Sequence, residues 1–180
     1  MPSSFLIMVE GVTDRGAIRK VANRLNVNVR IYVMNGNKSE KLKGIVNTHA
    51  PHYTNFILMK DLHRLSEHSI RQIYNTTCRQ ISMPLRDRLT LIIVKYEIEA
   101  WFLADIDALN KTFHCNIMNE FNNPEEIEKP SEELDLLLMK KCGRRYYKIE
   151  KYAERIMENA DYEKISEKVS SFQQLINCIS

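Results

Sequence analysis

Three short apolar runs, Phe5 to Val9, Phe56 to Met59 and Leu89 to Val94, are each followed closely by an acid: Glu10, Asp61 and Glu97. The runs do not alternate apolar with polar residues. That is the pattern of strands covered on both faces, as in a parallel sheet with helices on either side. A fourth run, Val27 to Val33, alternates more visibly and suits a strand nearer an edge. Between the runs lie amphipathic segments. Thr13 to Leu25 carries Ala17, Ile18, Val21 and Leu25 as a stripe, with Thr13 or Asp14 as cap, and Leu65 to Cys78 has Ser66 as cap. The order β-α-β-x-β-α-β predicts an α/β fold with a mostly parallel, doubly wound sheet.

The chain has 180 residues, enough for one domain with a real core and too few for two comfortable ones. The expected organisation is a single domain over 1–180, with an α/β core in 1–110 and a helical C-terminal extension in 111–180. Lys38 to Val46 reads as a short helix or a loop after the turn signal Asn35-Gly36-Asn37. Helical character returns at Ile98 to Leu103 and continues into Asp107 to Leu109. An acidic, Asn-rich linker expected to be exposed spans Asn116 to Lys129. A helix then starts at Ser131 and stops at Gly143, and Tyr147 to Asn159 and Ser171 to Cys178 read as two more.

No apolar run approaches the roughly 20 residues of a membrane helix, and no signal-peptide pattern precedes Phe5, so a cytosolic protein without membrane contact is expected. Cys78, Cys115, Cys142 and Cys178 are scattered without a C-x-x-C and are expected to be reduced packing residues. A net charge of +3 is too small for a strong sequence-independent grip on nucleic acid, although a local patch can still steer a polyanion.

Parallel strands bring residues just past their C-terminal ends to one rim, where open α/β folds bind ligands. Glu10, Asp61 and the Glu97/Glu99 pair belong to that rim. Two carboxylates about 4 Å apart repel by roughly 4 kcal/mol at an effective dielectric near 20, so a hard divalent cation is their natural counterion. Taken singly, each acid reads equally well as a helix cap or a solvated side chain.

The segment from Phe5 through Val9-Glu10-Gly11 to Asp14 resembles the first motif of TOPRIM domains, and Phe56 to His63 falls where their Asp-x-Asp strand belongs. The chain is closer still to TOPRIM-like nuclease families once grouped as domains of unknown function. Their E-x-E-A-W-h-L-A-D block stands here as Glu97-Ile98-Glu99-Ala100-Trp101-Phe102-Leu103-Ala104-Asp105. Pro130, Gly143 to Lys148 and Ser170-Ser171-Phe172 extend the likeness over nearly the whole chain. The resemblance implies metal-dependent cleavage of phosphodiesters with Mg²⁺ or Mn²⁺, Glu10 as acid/base or ligand, and Asp61 as ligand. The second acid of Asp-x-Asp is replaced by His63. Imidazole suits Mn, Zn, Ni or Fe better than Mg, which leaves a changed metal, a weaker site or lost catalysis open.

Lys140, Lys141, Arg144, Arg145, Lys148 and Lys151, interleaved with Tyr146 and Tyr147, can contact phosphates and bases or simply form a solvated helix end. The likeness favours Arg145, Tyr147 and Lys148 as substrate-binding residues, with Arg64 a further candidate beside the rim. Trp101 and Phe102 read as core. The chain lacks room for strand passage, so hydrolysis is the simpler chemistry. The expectation is a nuclease or phosphohydrolase in which Glu10, Asp61, Glu97 and Glu99 are catalytic and, with His63, hold the metal, and whose partner is DNA or RNA. The alternative is a catalytically degenerate module that binds nucleic acid or protein, as a homo-oligomer or a partner's subunit.

Overall fold

In the computed structural model, which describes residues 3–36, 41–62, 65–118 and 120–180, the apolar runs become parallel strands. These are β1 (Ser4–Val9), β2 (Asn28–Val33), β3 (Asn55–Asp61) and β4 (Leu89–Val94). They form one four-stranded sheet in the order β2-β1-β3-β4, every pair parallel. The alternating run is an edge strand. Met8 stands opposite Tyr32 on one side and Leu58 on the other, and Asp61 stands opposite Val94. The register therefore ends β1, β3 and β4 at a common rim.

Side chains alternate across each strand, so one sequence feeds two cores. Phe5, Ile7, Val9, Ile57, Met59 and Ile92 face the larger core. Leu6, Met8, Phe56 and Leu58 face a smaller one, covered by α2 (Leu42–His49) and α3 (Glu67–Cys78). Ser66 caps α3 as its position predicts, accepting from the Ser69 N–H at 3.1 Å. Lys38, in the stretch read as helix or loop, lies outside the described residues; α2 begins at Leu42.

The larger core holds α1 (Val12–Leu25), the short α4 (Met83–Arg86) lying outside it, and then the C-terminal helices. These are α5 (Glu99–Ala104), α6 (Ile106–Phe113), α7 (Pro130–Cys142), α8 (Glu150–Asn159), α9 (Tyr162–Lys168) and α10 (Ser170–Ile179). Leu134, Ala153, Ile156 and Phe172 belong to the same cluster as Ile7, so the C-terminal helices complete the sheet's core. Trp101 is fully buried as expected, donating from Nε1 to Ser171 Oγ at 3.0 Å and meeting Phe172 edge-on at 4.9 Å.

Helix α8 lies beside α1 and runs parallel to it. Arg15 pairs with Glu150, Arg19 with Glu154 and Lys20 with Glu158 in ascending order along both helices. These exposed pairs contribute little each; they report the register. What permits the approach is Gly16, where an added Cβ would lie 2.5 Å from the Glu150 carbonyl oxygen.

Four expectations are corrected. Asp14 is not the residue before α1 but lies inside its first turn, and its Oδ2 reaches back to accept the Gly11 N–H at 2.8 Å. The helix after Glu97 does not run through: Asp105 interrupts it, capping α6 through the Asp107 and Ala108 N–H groups and accepting from Asp161 N at 2.8 Å. The linker of 116–129 is anchored at Ile117 and Pro124, both buried, and at Glu125, which accepts from Ser170 and Ser171. Finally, Cys115 and Cys142 are bonded as a disulfide, because the turn after α6 meets the end of α7 with Cα atoms 5.4 Å apart. Cys78 and Cys178 are free thiols. Among the described residues no helix is long and apolar enough to cross a membrane.

Candidate active site

The rim gathers acids because the sheet is parallel. Glu10 follows β1, Asp61 is the last residue of β3, and the chain leaving β4 turns sharply through Tyr96, whose φ of +63° is left-handed, before Glu99 opens α5. Asp14 joins from the first turn of α1.

A strap between α7 and α8 closes over these acids. Gly143, at φ +64°, ends α7 and turns the chain, as its position predicts. Asp135 then pins the strap, its Oδ1 accepting from Tyr146 N at 2.9 Å and its Oδ2 from Arg145 Nη1 at 2.6 Å. Buried Tyr146 donates its hydroxyl to Glu99 Oε1 at 3.0 Å. Lys148 donates from Nζ to Glu97 Oε1 at 2.6 Å and stands 4.0 Å from Glu99 Oε1. Since α8 runs parallel to α1, its N-terminus lies at the sheet's C-terminal edge, and the residues just before it must lie at the rim.

The result is an open cleft of about 210 Å³ lined mainly by Glu10, Gly11, Asp14, Asp61, Glu99 and Lys148. Burial dominates its electrostatics. Asp61 is pushed well above the carboxylate range by desolvation and by Asp14, Glu10, Glu99 and Glu97 around it. Burial raises Asp14 to about 6, with Glu10 adding to the rise against its hydrogen bond from Gly11. Burial raises Glu99 to about 7 despite the Lys148 ammonium. Glu97 goes the other way: burial opposes it, but hydrogen bonds from Lys148 and Ser131 hold it below its usual value. The Lys148 ammonium, though partly desolvated, is in turn held charged by Glu99 and Glu97.

Of the residues predicted from sequence, Glu10, Asp61, Glu99 and Lys148 come together in the cleft. Glu97 stands one step back as the anchor of Lys148. Arg145 is engaged with Asp135, and Tyr147 lies exposed against Tyr152 at 6.5 Å, so neither lines the cleft. His63 and Arg64 lie outside the described residues. The sequence reading missed Asp14 and Lys60. Asp14 follows Glu10 by one helical turn, a spacing that places it over the same strand end. Lys60, buried beside Asp61 in sequence, points to the opposite face by strand alternation and donates to Glu10. Tyr146, read as a base-stacking ring, instead orients Glu99.

The donor set consists of carboxylate oxygens, which suit a hard cation such as Mg²⁺ or Mn²⁺. Their mutual repulsion and burial are what a cation would relieve. Among the described residues no group of three or more His, Cys, Asp or Glu side chains is already spaced to hold a metal ion. Asp61, Glu10 and Glu99 would have to close on it by side-chain rotation.

No curated protein and no solved structure matches the chain significantly. A family model described as a domain of unknown function (DUF4276) matches residues 9–180, and the chain belongs to that family.

Proposed function

We propose that the chain is a TOPRIM-like, metal-dependent hydrolase of phosphodiester bonds in nucleic acid, DNA or RNA. One observation carries the reading: Asp61, a half-buried carboxyl, is surrounded at the strand-end rim by Glu10, Asp14 and Glu99, with Lys148 as the cation lining the same cleft. A rim of this composition serves a ligand that brings both a cation and an anion. A hard divalent ion held by Asp61, Glu10 and Glu99 would supply Lewis-acid polarisation of a phosphate and a nucleophilic water at neutral pH.

The chain's own groups do the rest. Lys148, kept charged and aimed by Glu97, binds a non-bridging phosphate oxygen and stabilises charge that develops there. Glu99, raised to about 7 while no cation is bound, would give up its proton to become a ligand, and the Tyr146 hydroxyl fixes its orientation. Lys60 donates to Glu10 and holds it in place. The cytoplasmic setting expected from the sequence belongs to this proposal, and the Cys115–Cys142 bond is the observation that weighs against a strictly reducing compartment.

The test offers single- and double-stranded DNA and RNA with Mg²⁺ or Mn²⁺. Glu10→Gln and Asp61→Asn should each lower kcat by about 10²-fold or more. Wild-type rates in Glu10→Ala would sink the proposal. A second reading, a degenerate binding module, is favoured by Lys60 and Lys148, whose ammonium groups already neutralise Glu10 and Glu97 without a metal. Divalent ions separate the two: a catalytic site must raise Tm with millimolar Mg²⁺ or Mn²⁺, and a lysine-neutralised one must not.

A further inference from the structure

The face of the sheet edge farthest from the C-terminal helices carries a different chemistry. Between Asn26 and Met59 the sequence has one acid, Glu40, against Arg30, Lys38, Lys41 and Lys43, with His49 and His52 in addition. The fold folds this stretch into β2 and α2, side by side. Between them lie two adjoining hollows of about 340 and 440 Å³ that share Thr48 and His49. Their functional lining is Arg30, Tyr32, Lys41, His49, His52 and Tyr53, and no Asp or Glu lines either among the described residues.

The three rings form a ladder along the groove. Tyr32 meets His49 at 6.3 Å and His49 meets Tyr53 at 6.0 Å, each pair tilted by about 65° (63° and 66°) and each ring half-buried. The cations beside them are exposed. Arg30 and Lys41 pair with no carboxylate among the described residues, whereas Arg15, Arg19 and Lys20 on neighbouring α1 are all taken by glutamates of α8. Rings held at fixed spacing, flanked by cations that no described carboxylate pairs and by no described acid, complement a chain that carries flat bases and phosphates alternately. A duplex keeps its base faces stacked inside and cannot offer them to these rings; an unpaired strand can.

We propose that the β2–α2 groove binds single-stranded nucleic acid and leads it to the acidic cleft; the inference rests on the nuclease reading of that cleft. The register supplies the route. Tyr32 pairs with Met8, so the two side chains share a face, and Glu10 is the next residue of that parity on β1. Beyond β2, Met34 N donates to Val9 O and Gly36 N donates to Glu10 O, and Gly36 lines the cleft. From Tyr32 to Gly36 the chain advances by at most about 13 Å, so a strand lying on the rings reaches the acids within a few nucleotides.

Gly44 supplies a variant that cannot be dismissed as unfolded. It lines the groove on α2, a Cβ there would meet nothing within 4 Å, and Glu is a better helix former than Gly. Gly44→Glu should therefore keep or raise Tm while placing a negative charge in the groove. Binding is read by fluorescence anisotropy of labelled 20-nucleotide DNA and RNA strands in EDTA, so that no metal or cleavage is involved. Gly44→Glu and Arg30→Glu should each weaken binding about tenfold or more. Tyr53→Ala should do so by about five- to a hundred-fold, the range for one stacked base. Arg30→Glu should also flatten the dependence of log K on log salt by about 0.7 per lost phosphate contact. Lys111→Glu, an exposed charge on α6, should bind like wild type.

Glu10→Gln, scored for cleavage, tests the cleft separately. Wild-type affinity in Gly44→Glu and Arg30→Glu, with the oligonucleotide still cleaved, overturns the groove alone. A wild-type protein that neither binds nor cleaves any strand overturns both. Preference for a duplex over the single strand, or for an acidic peptide, overturns the proposed occupant.

Discussion

Glu99 gives the sharpest test of the reasoning about the rim, because its carboxyl is 2% exposed and its pKa is raised by burial from 4.5 to about 7. At ~1.4 kcal/mol per pH unit, that rise corresponds to about 3 kcal/mol. A raised pKa means the folded chain holds the proton more tightly than the unfolded one. The associated stability is fully present below pH 4.5 and is lost as pH climbs through about 7. Asp14, raised from 3.8 to about 6, and Asp61 act in the same direction. Glu97 and Glu150, whose values are lowered, lose stability only when pH falls through their folded values, so their opposing slope lies below pH 4.5. Glu99→Gln removes the ionisation while leaving an acceptor for the Tyr146 hydroxyl. In EDTA at pH 7.5 the variant should melt above wild type by up to about 6–12 °C, at ~2–4 °C per kcal/mol for a chain of this size. The difference should shrink towards pH 5. Adding Mn²⁺ should narrow the gap, since wild type gains about 2.7 kcal/mol at a hundred times Kd and the variant, short of one ligand, gains less. Equal melting of the two proteins at pH 7.5 in EDTA would refute the electrostatic account of the cleft.

Three further perturbations follow from the same geometry. Gly16→Ala forces a Cβ to within 2.5 Å of the Glu150 carbonyl oxygen, which should lower stability by about 1–3 kcal/mol. It should also reduce activity more than the melting change accounts for, because α8 carries the strap; a folded, fully active variant with unchanged Tm would contradict the close approach. Reducing the Cys115–Cys142 bond, which spans a sequence separation of 27, should cost about 3–4 kcal/mol by loop closure. Cys142→Ser should melt like the reduced protein and show no further response to thiol. Lys148→Met removes a charge that lowers Glu99, so in EDTA the pH at which Glu99 titrates should move upward from about 7; an unmoved titration would separate Lys148 from Glu99.

Strand identity and direction were legible because burial on both faces leaves a local mark: unbroken apolar runs between amphipathic segments. Glu10 and Asp61 followed from that, since residues ending parallel strands must share an edge. What the sequence concealed were contacts made across long separations. Nothing local in Cys115 or Cys142 marks the pairing, which exists only because α6 and α7 end side by side. Asp105 reads as one more residue of an amphipathic helix until Asp161, 56 residues on, offers it a backbone N–H. Lys60 carries no local mark of its role either: it is one charge at the end of an apolar run before Asp61, and strand alternation sends it to Glu10 instead.

The role of the strap shows why the basic cluster at 140–151 could be read only in part. By composition Arg145, Tyr147 and Lys148 are equivalent candidates, all polar, adjacent and close to a helix start. The structure separates them by where the backbone is tied. Asp135 holds Tyr146 N and Arg145 together, which turns Arg145 outward and Tyr146 inward. Tyr146 and Tyr147 both stack on Tyr152 of α8, at 6.2 and 6.5 Å, but Tyr147 stays exposed where Tyr146 is buried, and Lys148, two residues beyond Tyr146, returns to the cleft. The alternation is that of an extended segment, with a period of two, laid across the rim by the parallel pairing of α1 and α8. The decisive residue for this arrangement is thus Gly16, itself outside the cleft. Without its missing side chain α8 could not lie close enough to bring Lys148 to Glu97 and Tyr146 to Glu99.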